Sequence, residues 1–160
     1  MFDFAPDADL EKPELYRQLS EAAAALIEGE SDKVANMANV AALMAEYIPQ
    51  LNWVGFYRVI GDELVLGPFV GRPACIRIPL DQGVCGEAVQ SGETQLVEDV
   101  HAFPGHIACD ANSRSELVVP VRSEGVIVAI IDLDSPEPAR FGAEDAVGIE
   151  KLAALLADRL

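Results

Sequence analysis

From Pro13 to Glu28 the stretch PELYRQLSEAAAALIE sets apolar positions three and four residues apart among strong helix formers, with a proline suited to a first turn. It predicts a helix that stops near Gly29. A second helix is expected from around Asp32, running through VANMANVAALMAEYI to Pro49, with an apolar face wide enough to be buried. At Asn52 the period changes from helical to alternating. NWVGFYRVIGDELVLGPFVG reads as two aromatic and β-branched runs joined at Gly61-Asp62, an antiparallel hairpin. CIRIPLDQGVCGEAVQSGE predicts a short extended piece, a turn at Gly83 and a short helix from about Val84 to Gln90 that Gly92 ends. TQLVEDV adds a strand, and ELVVPVRSEGVIVAIIDLDS a second hairpin turning at Ser123-Glu124-Gly125. FGAEDAVGIEKLAALLADRL closes the chain as an amphipathic helix whose first-turn acids suit the helix dipole.

This order predicts an α+β fold: a central antiparallel sheet with the N- and C-terminal helices on one side and pocket-forming loops on the other. A chain of 160 residues, 51% of them hydrophobic, suits one domain with a substantial core. We expect a single unit over 1–160, with helices in 1–50 and the sheet, site loops and last helix in 51–160. The net charge of -16 and pI near 4.2 repel phosphate backbones and anionic lipid surfaces, so neither nucleic acid nor membrane is an expected partner. The acidic N-terminus MFDFAPDADLEKPE is unlike a secretory leader, and no apolar run reaches the ~18 residues of a membrane span, which predicts a cytoplasmic protein.

One segment has neither period. HAFPGHIACDANSRSE, from His101 to Glu116, holds both histidines and one of three cysteines, and long structureless loops inside compact domains are usually functional. Cys109 becomes a nucleophile only as thiolate, for which His106, Arg114 and the loop amides are the local candidates; an inert structural thiol is the alternative. Cys75 and Cys85 sit at the edges of short elements. If either faces Cys109, the set contains an attacking and a resolving thiol. An odd cysteine count without C-x-x-C fits neither a secreted disulfide framework nor a four-cysteine zinc module. His101, His106 and Cys109 lack a standard metal spacing and a clear fourth ligand, so no metal is expected.

The acids form a second set. Alternation puts Asp132 and Asp134 on one face of their strand, opposite Leu133, and Glu116 opens the partner strand. Pairing would gather three carboxylates whose mutual repulsion raises a pKa enough for proton donation near neutral pH; a solvated sheet rim is the alternative. Trp53 and Tyr57 share a face of the first strand, either as core or as a wall for a small apolar group. Phe103 and Pro104 read with His101 as loop packing.

The blocks NWVGFYRV, LVLGPFVGRPACIRIP, GVCGEAV, DVHAFPGHIACDANSRSELVVPV and VAIIDLDSP, in this order, resemble the free methionine-(R)-sulfoxide reductases, which are built on a GAF domain. The resemblance runs from about Asn52 to the last helix. It implies that Cys109 is the catalytic cysteine, Cys75 the principal resolving cysteine and Cys85 a third with a less settled role. It also implies that Glu116, Asp132 and Asp134 are active-site carboxylates and that Trp53 and Tyr57 form an aromatic pocket.

In the implied reaction Cys109 attacks the sulfoxide sulfur while Glu116 or Asp134 protonates its oxygen, and Asp132 holds the substrate ammonium or orients its neighbours. Amides near Ile107, Ala108 and Cys109 hold the substrate carboxylate. No cofactor is implied beyond a thioredoxin-type dithiol as reductant; a homodimer through the N-terminal helices is a further expectation. The competing expectation is a non-catalytic GAF module that binds a small ligand or senses oxidants through its cysteines.

Overall fold

The computed structural model describes residues 4–105 and 110–160. Two helices, α1 (Lys12–Leu26) and α2 (Lys33–Tyr47), precede a hairpin of β1 (Trp53–Ile60) and β2 (Glu63–Gly71). Then come β3 (Arg77–Pro79), α3 (Gly83–Ser91) and β4 (Gln95–Val97). A second hairpin of β5 (Ser115–Ser123) and β6 (Val126–Ser135) leads to α4 (Ala143–Leu156). All strands join one six-stranded antiparallel sheet in the order β3-β2-β1-β6-β5-β4.

The local signals act as their chemistry dictates. Asp32 caps α2, its carboxylate accepting from the Ala35 amide at 2.8 Å. The β5–β6 turn places Glu124 at φ 50° and Gly125 at φ 81°, two left-handed residues in a row, which matches the right-handed twist of the strands it joins. The expected hairpins and helices are all present.

Three features differ from the sequence expectation. The strand expected over TQLVEDV shrinks to three residues at the sheet edge, where a short strand limits unpaired backbone. The long segment after it contains a 3₁₀ turn at Val100–Ala102, capped by Asp99, whose carboxylate accepts from the His101 amide at 3.1 Å. So short a turn rests on local hydrogen bonds and leaves no hydrophobic period. Finally, α3 lies on the opposite face of the sheet from α1, α2 and α4, as the two separate apolar clusters show.

Strict alternation assigns the faces. Val54 and Phe56 of β1, Leu117 and Val119 of β5, and Ile131 and Leu133 of β6 are buried against Leu19, Met44, Ile149 and Leu152 of the three long helices. Each such side chain contributes roughly 1.5–3 kcal/mol when fully buried. Trp53, Tyr57, Val118 and Ile130 point the other way, against Val84, Cys85 and Ala88 of α3. Gly86 lets α3 approach the sheet rim, because a Cβ there would lie 2.9 Å from the Leu80 carbonyl oxygen.

The helical layer is fastened by one acid. Asp145, fully buried in the first turn of α4, accepts from Lys12 Nζ at 2.6 Å, Tyr16 Oη at 2.8 Å, Arg140 Nη1 at 3.2 Å and the Gly142 amide at 2.8 Å. Burial pushes its carboxyl up, but these bonds and the Arg140 charge outweigh that and hold it below the usual range. Asp145→Ala leaves the buried Tyr16 hydroxyl without its acceptor and Arg140, which keeps its bonds to the Pro49 carbonyl, without its counter-charge, and should lower stability by about 3 kcal/mol in urea unfolding. A loss within experimental error would show that the clamp contributes nothing.

Candidate active site

The face of the sheet that carries α3 ends in acids, and antiparallel register determines which ones. Glu116 of β5 stands opposite Asp134 of β6, and Val118 opposite Asp132. On the other side of β6, Trp53 stands beside Asp134 and Gly55 beside Asp132. One cross-strand row is therefore Trp53, Asp134, Glu116. Gly55 has no alternative within this packing, since a Cβ there would meet the Phe69 Cβ at 2.4 Å.

From above, α3 lowers Cys85 onto the acids. Its Sγ lies 3.6 Å from Asp132 Oδ2 and 3.8 Å from Glu116 Oε1. Cys85, Glu116 and Asp132 are all buried. Together with Asp134, Asp110, Ser113 and the Gln82–Gly83 turn they line a cavity roofed by Ile78 and Val84. Among the described residues lining it there is no Lys, Arg or His. The acids do not form the solvated rim that stood as the alternative: the leucines between these positions anchor both strands to the helical core, and α3 closes the opposite face.

Burial among like charges sets the protonation. Glu116 is pushed well above the usual carboxylate range by burial and then by the charges of Asp132 and Asp134, only partly offset by the Cys85 thiol. Asp132 is pushed up by burial and by Asp134, again offset in part by Cys85. Asp134 rises to about 7, mainly through burial, with a Ser113 hydrogen bond pulling down and the Asp110 charge pushing up. The Cys85 thiol is also pushed well up, by burial and by Asp132, Glu116 and Asp134, so it stays protonated and acts as a donor. Such a site can hold a proton at neutral pH and can bind a cation. It does not favour a thiolate at Cys85.

Asp110, Ser113 and Asn52 belong to the site although sequence reading passed over them. Asn52 Nδ2 donates to Asp110 Oδ2 at 3.2 Å and to Ser113 Oγ at 3.1 Å. Asp110 also accepts from the Asn112 amide at 2.9 Å, and this bond is the main reason its carboxyl stays below the usual range. The signal available was the Asp-x-Asn spacing of an Asx turn inside the loop.

Trp53 and Tyr57 are buried and stacked, with ring centroids 5.9 Å apart, and Phe69, which sequence reading missed, stacks on Trp53 at 5.2 Å. Neither Trp53 nor Tyr57 is among the described residues that line the acid cavity. Their polar ends do something the sequence did not suggest. Trp53 Nε1 donates to the Arg72 carbonyl at 3.1 Å and Tyr57 Oη to the Cys75 carbonyl at 2.9 Å, fastening the segment after β2. Cys75 is half-buried and disulfide-bonded, whereas Cys85 is a free thiol. Phe103 packs against the same apolar cluster, as expected of loop packing, while His101, Pro104 and Arg114 are exposed. His106, Ile107, Ala108 and Cys109 lie outside the described residues.

Residues 34–160 match the GAF domain family. The chain is 46% identical over 147 residues to the free methionine-R-sulfoxide reductase of Escherichia coli, covering 92% of this chain and 89% of that protein. It is 40% identical over 157 residues to the free methionine-R-sulfoxide reductase of Saccharomyces cerevisiae, covering 93% and 87%. The X-ray structure of free methionine-R-sulfoxide reductase from Neisseria meningitidis in complex with its substrate superposes with a TM-score of 0.92 at 44% identity, covering 97% of this chain and 93% of that one.

The raised carboxyls have a consequence for stability. An acid whose folded pKa lies above its unfolded value binds the extra proton in the folded state, so stability falls as pH rises between the two values. For Asp134 that window runs from 3.8 to about 7. Glu116 and Asp132 act in the same sense. Urea unfolding should show a decline across this window, and Asp134→Asn should flatten it and stabilise the protein at about pH 8 by roughly 1–3 kcal/mol. An unchanged slope in the variant would show that Asp134 ionises as it does in water.

Proposed function

The chain belongs to the GAF-domain family of free methionine-R-sulfoxide reductases, and from that membership we propose that it reduces free methionine-R-sulfoxide with Cys109 as the nucleophile. The observation that carries the reading is the buried set Glu116, Asp132 and Asp134, held partly protonated beside a cavity that Asp110, the covalent neighbour of Cys109, also lines.

In the proposed first step the Cys109 thiolate attacks the sulfoxide sulfur while Glu116 or Asp134 protonates the sulfoxide oxygen. The substrate S–O bond breaks, two electrons pass to its sulfur, methionine leaves and the oxygen stays on Cys109 as a sulfenic acid. The Cys75 thiol then displaces that oxygen as water and forms a disulfide. Two facts support Cys75 over Cys85 as the resolving thiol: Cys75 is disulfide-bonded, and Cys85 is a free thiol deep among carboxylates that disfavour its ionised form. A thioredoxin-type dithiol would reduce the disulfide, exchanging one disulfide for another with no resident cofactor.

Preference for the free amino acid follows from charge. Free methionine sulfoxide carries an ammonium that a peptide-bound residue lacks, and a cavity lined by four acids rewards it; Asp132 is the proposed partner. Amides of Ile107, Ala108 and Cys109 would hold the carboxylate. Among the described residues no helix is long and apolar enough to cross a membrane.

Reduced protein given the two isomers of free methionine sulfoxide and a dithiol should release methionine from the R isomer alone, and Cys109→Ser should abolish release. No release from either isomer would remove the enzyme reading and leave a ligand-binding or redox-sensing GAF module. Tyr57→Phe tests the resolving step separately. Losing the bond to the Cys75 carbonyl, worth about 1 kcal/mol, should slow disulfide formation several-fold in rapid-quench thiol trapping. If disulfide formation keeps its rate, Tyr57 has no part in holding Cys75.

A further inference from the structure

The acid cavity contains a buried thiol, Cys85, that the proposed reduction does not use, and it stands against two of the acids that the reduction does use. Cys85 Sγ, a Glu116 carboxylate oxygen and an Asp132 carboxylate oxygen come from α3, β5 and β6, and all lie within 4.8 Å of one another. We propose that these three side chains form a binding site for a zinc-type divalent cation, with the fourth position left to water or to a ligand in the cavity.

The spacing supports this directly. Zn–S of about 2.3 Å and Zn–O of about 2.0 Å meeting at the tetrahedral angle put sulfur and oxygen about 3.5 Å apart. The observed separations are 3.6 Å to Asp132 and 3.8 Å to Glu116, so the sulfur and both carboxylates already stand close to two edges of such a tetrahedron. An independent observation points to a missing ligand. Asp132 is only 6% exposed, it lines the cavity, and its Oδ1 is a buried oxygen with no hydrogen-bond partner among the described residues. A buried acceptor left in this state costs about 1–3 kcal/mol, which a bound cation would relieve.

The chemistry of the set selects among cations. A cysteine sulfur that gives up its proton to the ion, together with two carboxylates, suits zinc or cobalt; magnesium and calcium, which take oxygen donors, leave the sulfur unused. The three elements are also rigidly placed. Leu117 and Leu133 pin β5 and β6 to the helical core, and Gly86 seats α3 against the Leu80 backbone, so the donors are preorganised instead of gathered by the ion. Since Asp132 and Glu116 face the same cavity as the proposed substrate ammonium, a bound ion and an amino-acid ligand would exclude one another. The site itself stands whether or not the chain turns over.

The test uses the whole chain kept oxidised, with Cys75 in its disulfide, so that metal bound at a reduced cysteine pair is excluded. Zinc is added from a chelator-buffered series and bound metal is measured after desalting. One zinc per chain is expected. Cobalt in its place should give a thiolate-to-cobalt charge-transfer band and the intense visible bands of tetrahedral coordination. Cys85→Ser should abolish the charge-transfer band and weaken zinc binding by more than the roughly 10–100-fold that an outer-shell change costs. Glu116→Gln, which keeps the thiol, should retain the band and also bind more weakly. The idea is overturned if the wild-type chain binds no zinc, if affinity is the same in folded Cys85→Ser, or if cobalt shows only octahedral, thiolate-free spectra.

Discussion

The burial of three carboxyl groups on one sheet face governs this molecule. Glu116, Asp132 and Asp134 are brought together by pairing of β5 with β6 and closed over by Cys85 from α3. Acids so placed cannot all be ionised, because each charge lacks water and faces another of the same sign. The result is a set of protons held into the neutral range at a defined place. That is the resource an oxygen-removing reaction needs, and it is generated by packing alone.

Keeping such a set buried requires stabilisation elsewhere, and the opposite face of the same strands supplies it. Leu117, Ile131 and Leu133, neighbours of the acids along their strands, enter the helical core, so each of the three acids stands beside a residue that fixes its strand. The same logic recurs with opposite sign at Asp145. There one buried acid meets Lys12, Tyr16, Arg140 and a backbone amide, and is held ionised. The two kinds of buried acid differ only in their neighbours: cations and donors in the helical layer, other acids and a thiol in the cavity.

The aromatic residues join the two halves of the site. Trp53 and Tyr57 fill the space beside the acid row with stacked rings, and their polar ends hold the Arg72–Cys75 backbone. A residue class that reads as core or as pocket wall here acts as both packing and fastener. Cys75 and Cys85 diverge for a related reason. Cys75 lies half-exposed on a tethered segment and takes part in a disulfide, while Cys85 is enclosed by acids that keep its proton in place.

By itself the sequence determined the elements and the alternation. Apolar positions at helical spacing marked α1, α2 and α4; period-two runs with Gly61 and Gly125 at the turns marked both hairpins; Asp132 and Asp134 fell on one face because side chains alternate along a strand, and hairpin pairing was expected to bring Glu116 to them. The block order carried the family as well. Tertiary structure alone decided that α3 sits on the site face, that Cys85 lies within 4 Å of two of the acids, that Asp110 and Ser113 join the cavity, and that Tyr57 fastens Cys75. Each of these is a contact between segments far apart in the chain. Local periodicity states which way a side chain faces along its own strand; only pairing and packing between the elements, as in the register that sets Glu116 opposite Asp134, state what it meets there.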